Sequence, residues 1–171
     1  MRPTGEGGTE TQAKDLCLRL LTDRARSRAE LTERLAKKGY SHEIAERVLD
    51  RLTEVGLVND ADFARQWVHS RHTYSGKGKR ALALELRRKG IGQEDATEAL
   101  AQIDSEDERA RATELVAKKL RTVSADDRDR AVRRLVSMLA RRGFPQGMAF
   151  EVVKEQLDRA GAETDGLFDE T

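Results

Sequence analysis

Apolar residues recur at helical spacing through most of this 171-residue chain. Ala13, Leu16, Cys17, Leu20 and Leu21 follow the i, i+3, i+4, i+7, i+8 rule of one helical face, which predicts a first helix starting at Thr11 or Gln12. Ser27 with Glu30 has the spacing of a capping box and opens a second helix, with Leu31 and Leu35 inward. It closes at Gly39, where a residue without Cβ takes the left-handed conformation that ends helices. Ser41 caps a third helix, with Ile44, Ala45, Val48, Leu49, Leu52 and Val55 inward and Gly56 as its stop.

The plan then repeats. Asp60 is placed to cap a fourth helix along Phe63, Ala64, Trp67 and Val68, which should fray near Thr73 because Ser75, Gly76 and Gly78 break the pattern. Lys79 to Lys89 is a fifth helix with Leu82 and Leu86 inward, stopped at Gly90, and Glu94 to Ile103 is a sixth. Ser105 with Glu108 opens a seventh, and Ser124 with Asp127 opens an eighth that ends at Gly143. A ninth runs from about Gly147 to a stop at Gly161.

Superposition makes the repetition explicit. Leu31-x-x-x-Leu35 before Gly39-Tyr40 aligns with Leu82-x-x-x-Leu86 before Gly90-Ile91 and with Leu135-x-x-x-Leu139 before Gly143-Phe144, the glycines lying 51 and 53 residues apart. Ala45, Ala96 and Ala149 fall at one offset from these glycines, and Val48, Ala99 and Val152 at another. The expected fold is all-α: a tandem array of three three-helix units, each with a modest core, forming an elongated, curved molecule. The expected boundaries are a disordered tail over residues 1–11, triplets over 12–57, 58–104 and 105–161, and an acidic tail over 162–171.

Composition narrows the class. Charged residues make up 37% and aromatics 4%, which argues against one thick core and for thin helical layers. No run of 18 apolar residues and no apolar signal core is present, so a cytoplasmic protein with no membrane partner is expected. The single cysteine, Cys17, excludes an internal disulfide and reads as a small buried hydrophobe.

The net charge of +1 conceals a polarised chain. From Phe63 to Gly90 eight basic residues face the single acid Glu85, a net of +7, which leaves −6 for the rest. Such a cluster suits a polyanion.

Catalytic and metal chemistry find little support. His69 and His72 share a helical face at i, i+3, but no Cys, Asp or Glu lies within that turn to complete a metal shell. Gly76-Lys77-Gly78-Lys79 lacks the preceding strand and the following Ser or Thr of a nucleotide-binding loop, although backbone N–H groups with Lys77, Lys79 and Arg80 suit a phosphate on a polymer. Asn59, Asp60 and Asp62 read as caps rather than calcium ligands. Trp67, on one face with Phe63, reads as packing between the first two triplets, or else as a base-stacking platform. No catalytic residue, metal site or cofactor is expected, and no enzyme.

Two linked motifs carry a family resemblance: Gly56-Leu57-Val58-Asn59-Asp60-x-x-Phe63-Ala64-x-x-Trp67-Val68-x-x-Arg71, and Gly78-x-x-Arg80-Ala81-Leu82-x-x-Glu85-Leu86-x-x-Lys89-Gly90-Ile91. Together with the three-triplet plan, from about Ala13 to Leu157, they resemble the RecX family of regulators of the RecA recombinase. The resemblance implies a non-enzymatic protein that binds the RecA filament, inhibits its ATPase and strand exchange, limits filament growth in recombination and DNA repair, and contacts DNA. By position it points to Arg71, Lys77, Lys79, Arg80, Arg87 and Arg88 for contact with RecA or with single- or double-stranded DNA through the basic central unit. Gly56, Asp60, Phe63, Trp67, Gly78 and Gly90 would hold the motif in shape. A monomer is expected, since no sustained heptad demands a partner. The alternative reading is a helical DNA- or RNA-binding module with no recombinase partner.

Overall fold

The computed structural model describes residues 8–168, and these form nine α-helices and no strand. In order they are α1 (Glu10–Asp23), α2 (Arg28–Lys37), α3 (His42–Glu54), α4 (Asp60–Ser75), α5 (Lys79–Arg88), α6 (Gln93–Leu100), α7 (Ser105–Leu120), α8 (Arg128–Arg141) and α9 (Gln146–Phe168). The expected N-terminal tail lies mostly outside the described residues. The part within them is already ordered, because Thr9 caps α1 in a capping box with Gln12.

By compactness the helices divide into two units. The first unit holds the chain up to Trp67 together with Glu85–Ala99, and the second holds Val68–Leu84 together with the chain from Leu100 onward. The division falls within α4 and within α5, so the middle triplet's buried residues are shared out. Phe63, Ala64, Leu86, Ile91 and Ala99 belong to the first unit, and Val68, Leu82 and Ile103 to the second.

In the first unit α3 packs on α1 and α2, burying Leu16, Leu31, Leu35, Leu49 and Leu52 around Cys17. Burial pushes the Cys17 thiol up to about 11, so it serves as a hydrophobe. Val55, expected inward, is 64% exposed, because it is the C-cap residue and lies past the last turn that α1 and α2 cover. In the second unit α9 packs on α7 and α8 around Leu135, Leu139, Phe144, Val152 and Val153.

Several caps differ from expectation, all where acids offer overlapping frames. Asn59, not Asp60, caps α4 by accepting the Asp62 N–H at 3.1 Å. Asp104, not Ser105, caps α7 in a capping box with Asp107, and Asp127, not Ser124, caps α8. Aspartate competes well with serine for a cap position and adds a charge at the positive end of the helix dipole. The α4 helix also continues through Thr73 to Ser75.

The displaced acids have another use. Asp60 Oδ1 accepts the backbone N–H of Arg28, the first residue of α2, at 2.8 Å. Glu108, only 4% exposed, accepts the N–H of Lys79, the first residue of α5, at 2.7 Å. In both cases an acid from the next triplet's first helix satisfies an orphan donor of a middle helix. The C-terminal end of the next middle helix lies beside the same turn. Ser27, the cap of α2, donates its hydroxyl to Lys89 O at 2.7 Å. Gly78 N–H donates to Arg142 O at 2.8 Å and Arg80 N–H to Gly143 O at 3.1 Å. Donors at one helix start thus meet acceptors at another helix end, the favourable sense for both dipoles.

Four helix stops follow one rule. Gly39, Gly56, Gly90 and Gly143 have positive φ, and the residue after each bonds back five positions: Tyr40 to Leu35, Leu57 to Leu52, Ile91 to Leu86 and Phe144 to Leu139. Gly161 is followed by Ala162 and Glu163, which offer no large apolar side chain for that closure, and α9 continues through it to Phe168. The expected stop at Gly161 is therefore corrected. The acidic tail is helical as far as it is described, and residues 169–171 lie outside the described residues.

Gly90 and Gly56 lie in one unit with similar φ, +74° and +78°, but a Cβ on Gly90 would collide with Ala29 Cβ, whereas one on Gly56 meets nothing within 4 Å. Gly56→Ala is expected to lose only left-handed strain, roughly 1–2 kcal/mol. Gly90→Ala adds overpacking of about 1–3 kcal/mol. Urea denaturation checks this, and equal losses would refute the close approach of these helix ends.

Candidate nucleic-acid interface

The residues expected to make contact occupy the end of α4, the turn after it and both ends of α5. In the second unit Arg71 is half-buried, with Nη1 donating to Ser75 Oγ at 3.2 Å. Lys77 follows α4 in a turn fixed from two sides. Its N–H donates to Arg71 O at 3.2 Å, and its carbonyl accepts from His72 Nδ1 at 2.8 Å. A carbonyl only accepts, so the His72 proton is on Nδ1. Gly78 is buried against the Gly143 backbone, where a Cβ could not fit, which explains a glycine between two lysines. Lys79 and Arg80 form the first turn of α5, their amides anchored to Glu108 and Gly143. In the first unit Arg87 and Arg88 are exposed in the last turn of α5.

Elsewhere in the molecule arginines are commonly spent on carboxylates: Arg28 on Glu46 and Asp50, Arg65 on Asp62 and Glu98, Arg109 on Glu151 and Glu155. Among the described residues no carboxylate pairs with the side chains of Lys77, Lys79, Arg80, Arg87 or Arg88. Unneutralised cations on an anchored backbone suit an incoming phosphate or carboxylate, with little ordering entropy left for the backbone.

The aromatic part of the motif sits in the first unit. Phe63 stacks on Trp67 with ring centroids 5.9 Å apart and 17° between planes. Trp67 Nε1–H donates to Glu85 Oε2 at 3.1 Å, and Lys89 Nζ lies 4.9 Å from the ring centroid. The indole is therefore engaged on a ring face by Phe63, at its N–H by Glu85 and by a cation. Lys89 also faces Glu30 Oε1 at 3.6 Å, an ion-pair distance too long for a hydrogen bond, while Arg24 holds Oε2 at 2.9 Å. Burial alone would raise the Glu30 carboxyl. The Arg24 hydrogen bond, the charges of Lys89 and Arg24 and the Ser27 backbone N–H outweigh it and bring the group below the usual carboxylate range.

His69, His72, Asp107, Arg111 and Glu114 line a surface groove in the second unit, but among the described residues no three His, Cys, Asp or Glu side chains gather to hold a metal. No helix among those residues is long and apolar enough to cross a membrane.

One feature was missed in the sequence. Arg128 to Arg142 holds six arginines against Asp129, and Arg130, Arg133, Arg134 and Arg141 are exposed. Averaging the chain outside Phe63–Gly90 to a net acid hid this run. The same charge count over a window the length of one helix would have found it.

The comparisons with known proteins agree over most of the chain. Sequence models described as the first, second and third three-helix domains of RecX match residues 13–52, 59–100 and 106–153. This chain belongs to the RecX family. It is 66% identical over 149 residues to the regulatory protein RecX of Mycobacteroides abscessus, covering 86% of this chain and 73% of the relative. It is 57% identical over 152 residues to that of Mycolicibacterium smegmatis, covering 86% and 81%. A crystal structure of RecX from Lactobacillus salivarius superposes with a TM-score of 0.79 at 21% identity over 86% of this chain and 96% of that one. A second RecX crystal structure gives 0.72 at 23% identity, over 85% and 71%. These two show the fold. The relatives are named as regulatory proteins.

The Glu30 environment predicts a pH dependence. A carboxyl whose folded pKa lies below its unfolded value contributes stability that is present at neutral pH and lost as pH falls through the folded value. The urea midpoint of the first unit, followed by Trp67 fluorescence, is expected to drop as the pH falls below the ordinary glutamate pKa of about 4.3. Glu30→Gln should drop less over the same interval. An identical pH profile for the variant would show that Glu30 is not coupled to Arg24 and Lys89.

Proposed function

We propose that this chain binds the RecA filament and inhibits its ATPase, strand exchange and filament growth in recombination and DNA repair. The observation that carries the reading is the match to three consecutive RecX three-helix domains in order along the chain. The unpaired cations support it, Lys77, Lys79 and Arg80 in the second unit and Arg87 and Arg88 in the first, since an anionic filament of protein and nucleic acid is a partner that suits either set. DNA contact runs through the basic central unit. The relatives' naming as regulators fits a protein that acts by binding, and the role asks for no catalytic constellation. A nucleic-acid-binding module with no recombinase partner is the second reading, favoured by the arginines of α8, which lie outside the motif that carries the resemblance.

Titration into a RecA–single-stranded-DNA ATPase assay tests the proposal. Inhibition well below one copy per RecA protomer is expected. The double variant Lys79→Gln, Arg80→Gln should weaken it at least tenfold while keeping the fold, because neutral amides set no acid beside the buried Glu108 carboxylate that anchors this turn. No effect of the wild-type protein on the ATPase, with salt-dependent binding to DNA alone, would establish the second reading instead.

A further inference from the structure

Tyr74 is 80% exposed, yet the backbone that carries it is held by side chains from two other helix segments of the second unit. The last carbonyls of α4 have no partner within their own helix. Arg111 takes two of them, donating from Nε to His72 O at 3.2 Å and from Nη2 to Thr73 O at 2.9 Å. Arg142 Nη1 takes a third, Ser75 O, at 3.0 Å. Two guanidinium groups thus fix the turn on both sides of Tyr74 while its ring stays in water. A lone exposed aromatic is ordinary. An exposed ring on a backbone ordered in advance, beside uncommitted cations, is a different matter.

Those cations come from Lys77 and from α8. Arg142 joins α8 directly to this turn, through Ser75 O and through its own carbonyl, which accepts the Gly78 N–H at 2.8 Å. Along α8, Arg130, Arg134, Ser137 and Arg141 recur at i, i+4, i+7 and i+11, opposite the buried face of Leu135 and Leu139. At 1.5 Å per residue this stripe is about 16 Å long. Arg128, two residues earlier, is tied to Asp158, but among the described residues no carboxylate pairs with Arg130, Arg134 or Arg141.

We propose that the end of α4 and the exposed face of α8 form a binding surface for single-stranded nucleic acid. The ring of Tyr74 stacks on a base, and Lys77 and the α8 arginines follow the phosphates. The pairing of a cationic track with an exposed ring selects a single strand, because a duplex hides its base faces within the stack. This inference rests on the nucleic-acid part of the function proposed above, not on a recombinase partner.

The test is fluorescence anisotropy of the full chain, without RecA, on a labelled single-stranded 20-mer and on the matching duplex across a salt series. Tyr74→Ala is expected to weaken single-strand binding by about 5- to 100-fold with the salt slope unchanged, Tyr74→Phe to stay within about twofold, and duplex binding to be unaffected by either. Replacing Arg130, Arg134 and Arg141 with glutamine should flatten the slope by roughly 0.7 per charge removed. Urea midpoints equal to wild type establish that the variants fold. A 5-iodouracil strand should photo-cross-link to the peptide containing Tyr74. Wild-type affinity of Tyr74→Ala for the single strand would overturn the proposal. So would an unchanged slope in the arginine variant, or preference of the wild-type protein for the duplex. Because RecA is absent, single-strand binding with no effect on the ATPase would defeat only the recombinase reading, and inhibition of RecA with no single-strand binding would defeat only this one.

Discussion

Backbone groups at helix ends are the constraint on which this fold depends. A ten-residue helix such as α2 or α5 leaves its first four N–H and last four C=O groups without intrahelical partners, eight of its twenty backbone polar groups. Large cores are not available to offset that, because few side chains are aromatic and more than a third are charged. The chain answers by making neighbouring triplets complete one another. Asp60 and Glu108 reach the first N–H of α2 and α5, and the ends of α5 and α8 supply carbonyls to the same turns. Each of α2 and α5 is thus a finished hydrogen-bonding unit only when the next triplet is in place, which is a reason for the array to be continuous.

That device also governs where charge remains. Acids in the first turns of α4 and α7 are consumed by caps and amides, and those on α3 and α9 by Arg28, Arg109 and Arg128. Arginines at helix ends, Arg111 and Arg142, are consumed by carbonyls. The cations left without a carboxylate include those of the basic turn, the ends of α5 and the exposed face of α8. The near-zero net charge of the chain conceals cationic faces balanced by acids elsewhere, so composition alone understates how basic those faces are.

The helices were legible because their apolar faces keep a period of 3.6 over three repeats, and a helix stop with a buried residue after the glycine has a local signature. Caps were less legible. In Asp104-Ser105-Glu106-Asp107-Glu108 two capping frames overlap, and the winner depends on Glu108 being drawn to Lys79, 29 positions earlier, a contact no local pattern contains. Asp60 was displaced from its cap by the same kind of distant demand, the N–H of Arg28. Gly161 failed as a stop because a glycine permits a turn without requiring one. The division into two units through α4 and α5 was not legible either, since a repeat in sequence does not say which neighbours share a core.

Two of the three aromatic side chains of α4, Trp67 and Tyr74, show how position along one helix separates support from contact. Trp67 is the conspicuous residue in the sequence, but its indole N–H is spent on Glu85, and its ring on Phe63 and Lys89. A ring with its polar edge and a face already occupied would have to give up these partners before stacking on anything else, losing a hydrogen bond and a cation–π contact. Tyr74, two turns later, carries no such engagements in its surroundings: the nearby guanidinium groups are bound to backbone carbonyls, and the ring is left to solvent. Between them the helix passes from a position held by side-chain chemistry to one held by its backbone alone, and a ring of the second kind can gain a ligand without first losing a partner.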